Sequence, residues 1–148
     1  MQTKVCPIIL RPFAPQPDTE FEILLFRHPD QNIQFVKGTL EEGENPVVAC
    51  RRELWEESGL KLSTAHFEFL DSFDFIVKDQ KWLVYWAKIK EQRDQWAWQT
   101  VDDQGHQFDF FWCPLREFEQ RAKEWNMNIR FRTVIEAVLK HFNVDPKN

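Results

Sequence analysis

Several residue types are scarce in this chain, and each shortage excludes a class of protein. The three cysteines, Cys6, Cys50 and Cys113, are too few and too scattered for a zinc site or a disulfide framework, so we expect buried, reduced thiols. Only four glycines occur, which leaves no long flexible tract. We therefore predict one domain over residues 1–148, with 43% hydrophobic residues to fill a single core.

Long apolar runs and positive charge are also missing. The N-terminal sequence MQTKVCPIIL contains one lysine before a short apolar run, which predicts no signal peptide. No run of about 18 apolar residues is available to cross a membrane, so we expect a cytoplasmic protein without a membrane partner. The net charge of -5 argues against broad nucleic-acid binding through a basic surface.

Acidic residues are concentrated in one stretch, residues 38–60, which reads GTLEEGENPVVACRRELWEESGL. Asn45 is a suitable N-cap, and Pro46 suits the first helical position. Gly59 suits a left-handed C-terminal cap, so we predict a helix from Pro46 to Ser58.

This predicted helix has two chemically different faces. The apolar stripe, which suits packing on a sheet, consists of Val47, Cys50 and Leu54. Glu53, Glu56 and Glu57 lie on another arc, because side chains three and four positions apart are neighbours on a helix. Three carboxylates so close together repel unless a cation lies among them, and hard oxygen ligands suit Mg²⁺ or Mn²⁺ partnered by phosphate oxygens.

The fixed positions of this stretch resemble the signature of the Nudix hydrolases. In that signature a glycine, five residues, a glutamate and seven residues precede R-E-U-x-E-E-x-G-U, where U is aliphatic. The matching residues are Gly38, Glu44, Arg52, Glu53, Leu54, Glu56, Glu57, Gly59 and Leu60. The resemblance implies an α/β fold, an α/β/α sandwich with a mixed central sheet, whose catalytic motif is a loop, a helix and a loop.

The resemblance also implies a reaction and roles for residues. The reaction is Mg²⁺-dependent hydrolysis of a phosphoanhydride in a nucleoside diphosphate linked to another group, of nucleoside triphosphate, dinucleoside polyphosphate or nucleotide sugar type. Glu53, Glu56 and Glu57 would bind the metal and supply the base, whose identity stays open. Glu44 would assist the metals or the water, and Arg52 would orient a glutamate through a charge-assisted hydrogen bond. We place Glu53, Glu44 and Arg52 in the catalytic group.

A nucleotide-binding domain that does not cleave its ligand is the alternative from another class. Such a domain would be expected to have lost one or more motif glutamates, and this chain keeps them all. A merely solvated acidic helix would not also place an arginine and two glycines at these spacings.

Four side chains outside the predicted metal site are candidates for binding the substrate. Phe35 enters the motif loop, and Tyr85 and Trp86 lie on a predicted central strand, where an aromatic ring can stack on a base. Lys37 precedes Gly38 as lysine does in a variant of the motif found among dinucleoside polyphosphate hydrolases. The sequence specifies neither the base nor the leaving group.

The segment 102–109 is the candidate source of an additional metal ligand. Many Nudix hydrolases carry an acidic residue five or six positions before a tryptophan, here Trp112, but the count arrives at Gln107 and His106. The nearby acids that remain candidates are Asp102, Asp103 and Asp109. His106 itself is more simply read as a solvated loop histidine.

Apolar patterns predict strands on both sides of the motif. The predicted strands are 4–10 and 20–26, which would pair antiparallel, and 67–77, 82–89 and 108–113. In 67–77 one face is predicted to be buried and the face with Glu68 and Asp74 partly wet. The residues of the predicted buried face are Phe67, Phe69, Phe73, Phe75 and Val77. An amphipathic helix over 128–142 is predicted to cover one face of the sheet.

Overall fold

The structure is a computed structural model that describes residues 1–100 and 105–145. Its strands are β1 (Gln2–Pro12), β2 (Phe21–Arg27), β3 (Ile33–Gln34), β4 (Gly38–Thr39), β5 (Glu68–Phe75), β6 (Gln80–Lys88), β7 (Gln95–Gln99) and β8 (Gln107–Pro114). Its α-helices are α1 (Pro46–Ser58), α2 (Phe118–Glu124) and α3 (Ile129–His141). Short 3-10 helices span Thr64–His66, Ile76–Lys78 and Leu115–Glu117.

The described strands form one mixed sheet in the order β5-β6-β1-β2-β8-β7, with β4 paired to β1 and β3 paired to β2. β1 and β6 are parallel. The remaining pairs are antiparallel, including β1 with β2 as predicted. The mixed central sheet implied by the Nudix resemblance is therefore present.

β1 lies in the middle of this sheet and buries both of its faces. Cys6, Ile8 and Leu10 pack into the cluster that contains α2 and α3. Val5 and Ile9 pack into the cluster that contains α1. Because alternate residues of a strand point to opposite faces, one apolar strand supports both layers of the sandwich.

The helix α1 has the predicted limits and caps. The Asn45 side chain accepts a hydrogen bond from the amide of Val47 at 2.9 Å, and Gly59 has a left-handed backbone with φ 79°. Cys50 and Leu54 are fully buried, and Val47 packs against the same cluster. The apolar stripe therefore faces the sheet, as predicted.

The helix α3 confirms the predicted amphipathic cover. Asn128 caps it by accepting a hydrogen bond from the amide of Arg130 at 2.9 Å. The residues that α3 buries are Phe131, Val134, Ile135, Val138 and Leu139. The three cysteines are also buried and free, as predicted. No described helix combines the length and the apolar character that crossing a membrane requires.

The prediction for 67–77 is wrong in one respect, because its odd positions do not share a buried face. A β-bulge follows Phe69, so that Phe69 lies opposite Tyr85 whereas Phe73 lies opposite Trp82. The extra residue reverses the alternation along the strand. Phe69 is consequently 55% exposed on the α1 side, while Phe73 packs on the α3 side.

Candidate active site

The carboxylates of α1 face a cavity of about 630 Å³. The helix contributes Arg52, Glu53, Glu56 and Glu57 to its wall. Basic and small polar side chains from β1, β4 and the segment between β3 and β4 form another part of the wall, and they include Lys4, Lys37 and Thr39. Rings from the end of β2 and the start of β8 form a third part, made of His28, His106 and Phe108.

The guanidinium of Arg52 connects the acidic residues at this site. It donates to both carboxylate oxygens of Glu44, at 2.8 and 2.9 Å. It also donates to Glu53 at 2.8 Å and, more weakly, to Glu56 at 3.4 Å. The hydrogen bonds from Arg52 hold the pKa of the Glu44 carboxyl below its usual range. Arg52 therefore holds the carboxylates of Glu44 and Glu53 in fixed positions through charge-assisted hydrogen bonds.

The first glycine of the motif makes room for Glu53. The carboxylate of Glu53 lies directly against the α-carbon of Gly38, and a methyl group on residue 38 would overlap it. Gly38 does not have a left-handed backbone, so close approach rather than φ requires glycine here. Glu53 is only 6% exposed and is held between Gly38 and Arg52.

The C-terminal end of α1 is held by two indoles of β7. Trp98 Nε1 donates to the carbonyl oxygen of Glu56 at 3.0 Å, and Trp96 Nε1 donates to that of Ser58 at 2.9 Å. The last carbonyls of a helix lack partners within the helix, so these indoles satisfy them. A β-carbon on Gly59 would lie 2.6 Å from the Trp98 ring, which explains the second glycine of the motif together with its positive φ.

The lysines lie on the other wall of the cavity. Lys4 Nζ donates to Thr39 Oγ1 at 2.8 Å. The Nζ of Lys37 lies 4.8 Å from the centre of the Trp82 ring and 5.6 Å from that of Phe131. Burial, followed by the nearby Lys4, lowers the pKa of Lys37. The cavity therefore combines anionic and cationic side chains.

The acidic wall has the right chemistry for a hard divalent cation. Within residues 1–100 and 105–145, no group of three or more His, Cys, Asp or Glu side chains is arranged to hold a metal ion by itself. One nitrogen of Arg52 donates to both Glu53, at 2.8 Å, and Glu56, at 3.4 Å. Mg²⁺ usually takes one or two carboxylates together with waters and substrate phosphates. The carboxylate oxygens are thus suitable donors for such a cation, and their role as metal ligands stays a prediction.

A comparison with protein families identifies the family of this chain. A family model described as the NUDIX domain matches residues 13–135. The chain belongs to the Nudix hydrolase family. The α/β/α fold and the complete motif agree with that membership.

Relatives of this Nudix hydrolase include enzymes and solved structures. It is 29% identical over 118 residues to a dihydroneopterin triphosphate diphosphatase of Haemophilus influenzae. The aligned region covers 74% of this chain and 75% of that relative. A MutT structure from work on the Aliivibrio salmonicida and Vibrio cholerae proteins superposes with a TM-score of 0.65 at 20% identity, covering 95% and 98% of the two chains. An Ap4A hydrolase of C. elegans superposes at 0.62 with 19% identity, covering 97% and 98%. The two structural matches show the shared fold.

Most of the site residues predicted from the sequence of this Nudix hydrolase lie together. The residues gathered at the cavity or on Arg52 are Lys37, Glu44, Arg52, Glu53, Glu56 and Glu57. Their roles in binding metal, substrate or a proton stay predictions.

Phe35 is a correction to the predicted substrate contacts. It is 1% exposed and lies in the core, with its ring centre 4.7 Å from that of Phe131 and 6.2 Å from that of Trp82. The chain entering the motif loop turns this side chain towards α3. Its ring therefore presents no free face to a base.

Tyr85 and Trp86 also lie away from the cavity. Tyr85 packs against Phe69 on the α1 side of β6, with ring centres 5.4 Å apart. Trp86 packs against Phe142 on the α3 side, with ring centres 5.1 Å apart. A central strand directs its side chains into the two cores, so a position on β6 did not bring either ring to the site.

The 102–109 segment contributes His106 to the cavity, whereas the sequence predicts an acidic metal ligand from this segment. Asp109 is exposed, accepts a hydrogen bond from Gln107 at 3.0 Å and lines a different cavity. The candidates Asp102 and Asp103 lie outside the described residues. His106, read from the sequence as a solvated loop residue, lines the same cavity as the α1 carboxylates.

His28 is a site residue that the sequence analysis missed. The residues His28-Pro-Asp-Gln are typical of a turn and carry no local sign of a site. In the structure the His28 ring lies 5.4 Å from that of His106 and 5.3 Å from that of Phe108. These residues are nearly 80 positions apart in the sequence. The antiparallel pairing of β2 with β8 brings them together.

Proposed function

We propose that this Nudix hydrolase cleaves the phosphoanhydride of a triphosphate that carries a heteroaromatic ring, using Mg²⁺ or Mn²⁺. The observation that carries the proposal is that one cavity contains the carboxylates of α1 and the ammonium groups of Lys4 and Lys37. A phosphate chain with a bound cation needs both kinds of group, because the cation binds carboxylates while remaining phosphate oxygens need positive partners.

The relative from Haemophilus influenzae supports a triphosphate substrate. Its name specifies a pterin triphosphate and a diphosphatase reaction, and the match extends over 118 residues. Dihydroneopterin triphosphate is therefore our first candidate substrate. Nucleoside triphosphates come next, followed by dinucleoside polyphosphates and nucleotide sugars, which the family resemblance also allows.

The side chains of the motif would hold the cation and position the group that accepts the proton. A divalent cation held by Glu53, Glu56 and Glu57 would neutralise phosphate oxygens and lower the pKa of a water molecule. Arg52 holds Glu53 in place, and Glu44 acts through Arg52 as a positioning residue. A carboxylate of this group takes the proton when water attacks phosphorus. The P–O bond to the leaving group then breaks, which yields a monophosphate and pyrophosphate.

The ring of the substrate would bind at the wall made of His28, His106 and Phe108. Both imidazoles are partly exposed at the cavity, and the buried Phe108 ring lies against that of His28. Stacking of a heteroaromatic ring on such a side chain is worth about 1–3 kcal/mol.

A panel of substrates tests this proposal. The purified protein is incubated with dihydroneopterin triphosphate, the common nucleoside triphosphates, a dinucleoside tetraphosphate and ADP-ribose, in Mg²⁺ or in EDTA, and the products are separated by ion exchange. We expect pyrophosphate release from triphosphates, with the highest kcat/KM for the pterin compound and none in EDTA. Cleavage confined to dinucleoside polyphosphates or nucleotide sugars contradicts the triphosphate assignment. Tight binding without cleavage of any compound identifies the non-catalytic alternative.

Divalent metal should raise the melting temperature. The α1 carboxylates repel one another without a cation, and a ligand that binds only the native state stabilises it by mass action. The expected gain is about 2.7 kcal/mol at a metal concentration a hundredfold above Kd. Melts in EDTA and in Mg²⁺ measure it, with NaCl at equal ionic strength as the control for charge screening.

Titration of Mn²⁺ by calorimetry completes this test. We expect at most one tight site in the free protein and additional metal once a non-hydrolysable nucleotide is present, because the substrate phosphates supply ligands. Two or more tight sites without nucleotide, or melts that superimpose, would be incompatible with this picture.

A further inference from the structure

The two end strands of the sheet, β5 and β7, differ in how their outer edges are protected. Among the described residues, β5 pairs only with β6 and β7 pairs only with β8. β5 has the bulge after Phe69 and three acidic side chains, Glu68, Asp71 and Asp74. Bulges and charged side chains are the usual means of preventing an edge strand from pairing with another chain. β7 follows β8 in one continuous register, and its sequence QWAWQ contains no charge, proline or glycine.

The sequence of β7 reads the same in both directions. Its five residues, 95–99, form a palindrome centred on Ala97. When two copies of a strand pair antiparallel about a two-fold axis, each meets its own sequence reversed, and a closed two-fold dimer has this self-complementary geometry. We propose that two copies of this protein pair through β7, with Ala97 opposite its own copy on the axis. The inference goes beyond the proposed function and does not depend on it.

The backbone of β7 suits this register. The amide of Thr100 donates to the carbonyl oxygen of His106, next to β8, at 2.8 Å. Hydrogen bonding alternates along an antiparallel strand, so the amides of Trp98 and Trp96 also point towards β8. The N–H and C=O groups of residues 95, 97 and 99 consequently point to the outer edge. Centring the pair on Ala97 places these groups opposite the same groups of the second copy.

The side chains that meet in this register are compatible. Each Trp96 would lie opposite Trp98 of the second copy, and aromatic pairs across strands stabilise their pairing. Both indoles donate to α1 but stay partly exposed, so part of each ring can contact a neighbour. Each Gln95 would lie opposite Gln99, and carboxamides can both donate and accept. Ala97 is exposed and small, so no bulky or charged group meets its own copy on the axis.

Sedimentation equilibrium over a series of protein concentrations tests for the dimer. The measured mass should rise from 17.9 kDa, that of one chain, towards twice that value as the concentration increases. An edge contact between two short strands is small, so we expect the dimer to dissociate on dilution. The mass of a single chain at every concentration up to the millimolar range overturns the proposal.

A charge at position 97 tests whether the dimer uses β7. Ala97→Glu places two carboxylates opposite each other on the axis, and Asp109 of β8, the cross-strand neighbour of position 97, adds to the repulsion. The dimer Kd should rise at least about tenfold. Ala97→Lys should also weaken self-association, whereas an equimolar mixture of the two variants should form a heterodimer. Parental self-association of Ala97→Glu, or a mixture that stays monomeric although circular dichroism shows both variants folded, overturns the proposal.

Ser72→Glu is the matched control at the other edge of the sheet. Ser72 is exposed on β5, so the substitution adds the same charge without touching β7. Its dimer Kd should stay within about twofold of the parent. Loss of the dimer in Ser72→Glu but not in Ala97→Glu would place the contact at β5 and overturn the proposal.

Hydrogen exchange measured by NMR tests the pairing without any substitution. The amide of Ala97 should exchange rapidly in dilute protein and be protected in concentrated protein, because only the second copy supplies its partner. The amides of Trp96 and Trp98 should be protected at both concentrations, because they point towards β8. A dimer that forms without protecting Ala97 uses another surface, and that result overturns the proposal.

Discussion

Glu57→Gln should lower kcat by at least about a hundredfold while the protein keeps its fold. The substitution preserves the shape of the side chain and removes one anionic ligand that a hard cation requires. Mutation of a residue that merely supports a metal ligand already lowers metal affinity or activity by about 10–100-fold. Loss of a ligand itself should therefore lower activity by an amount at the upper end of that range or beyond it. We expect the same of Glu56→Gln. Initial rates at limiting and at saturating Mg²⁺, with the circular dichroism spectrum, measure both effects.

Glu42→Gln is the matched control for the charge change. Glu42 is exposed on the loop that precedes α1 and does not line the cavity. It should retain the parental rate, because a solvated carboxylate outside the site affects the chemistry only through screened electrostatics. Near-parental rates for Glu56→Gln and Glu57→Gln at limiting Mg²⁺ would show that the metal assignment is wrong.

Gly38→Ala should reduce turnover by roughly a hundredfold with only a modest loss of stability. The added methyl group would overlap the Glu53 carboxylate, which must then move. Moving it breaks the 2.8 Å hydrogen bond from Arg52 and displaces a predicted metal ligand. The broken bond should cost about 1.5–3 kcal/mol of unfolding free energy, as for hydrogen bonds to charged groups. Steady-state kinetics and urea denaturation measure the two quantities.

Gly43→Ala separates this steric effect from the general cost of replacing a glycine. Gly43 has φ 76° and no atom within 4 Å of an added β-carbon. Alanine there should cost about 1–2 kcal/mol through the left-handed backbone and leave kcat close to the parent. If Gly38→Ala turned over as fast as Gly43→Ala, the close approach of Gly38 and Glu53 would have no functional consequence.

Arg52 connects the motif loop, which contains Gly38 and Glu44, with the glutamates of α1. Its guanidinium binds Glu44 through two bonds and Glu53 through a third. The motif loop and the helix α1 are therefore joined by charge-assisted hydrogen bonds rather than by packing alone. The spacing of eight residues between Glu44 and Arg52 allows the loop to turn back onto the first turns of the helix.

The sequence by itself determined the elements whose signals are local. Caps at Asn45 and Gly59 and the spacing of Cys50 and Leu54 specify α1 because each signal acts within a few residues. The same reasoning placed α3 and the strand β1. The apolar residues of β1 pack into both hydrophobic cores. The motif spacing also identified the glutamates that face the cavity.

Tertiary structure alone decided which distant side chains join that site. The bulge after Phe69 reversed the faces of β5, and the turn of the chain before Lys37 buried Phe35 instead of presenting it to a substrate. Pairing of β2 with β8 brought His28 to His106.

The remaining contacts of the site also join separate parts of the chain. Packing of α3 placed Phe131 near Lys37, and β7 placed Trp98 against Gly59. These contacts span about 40 to 90 positions, as the residue numbers show. Local propensity acts over a few residues, so it specifies the elements but not their register or their neighbours.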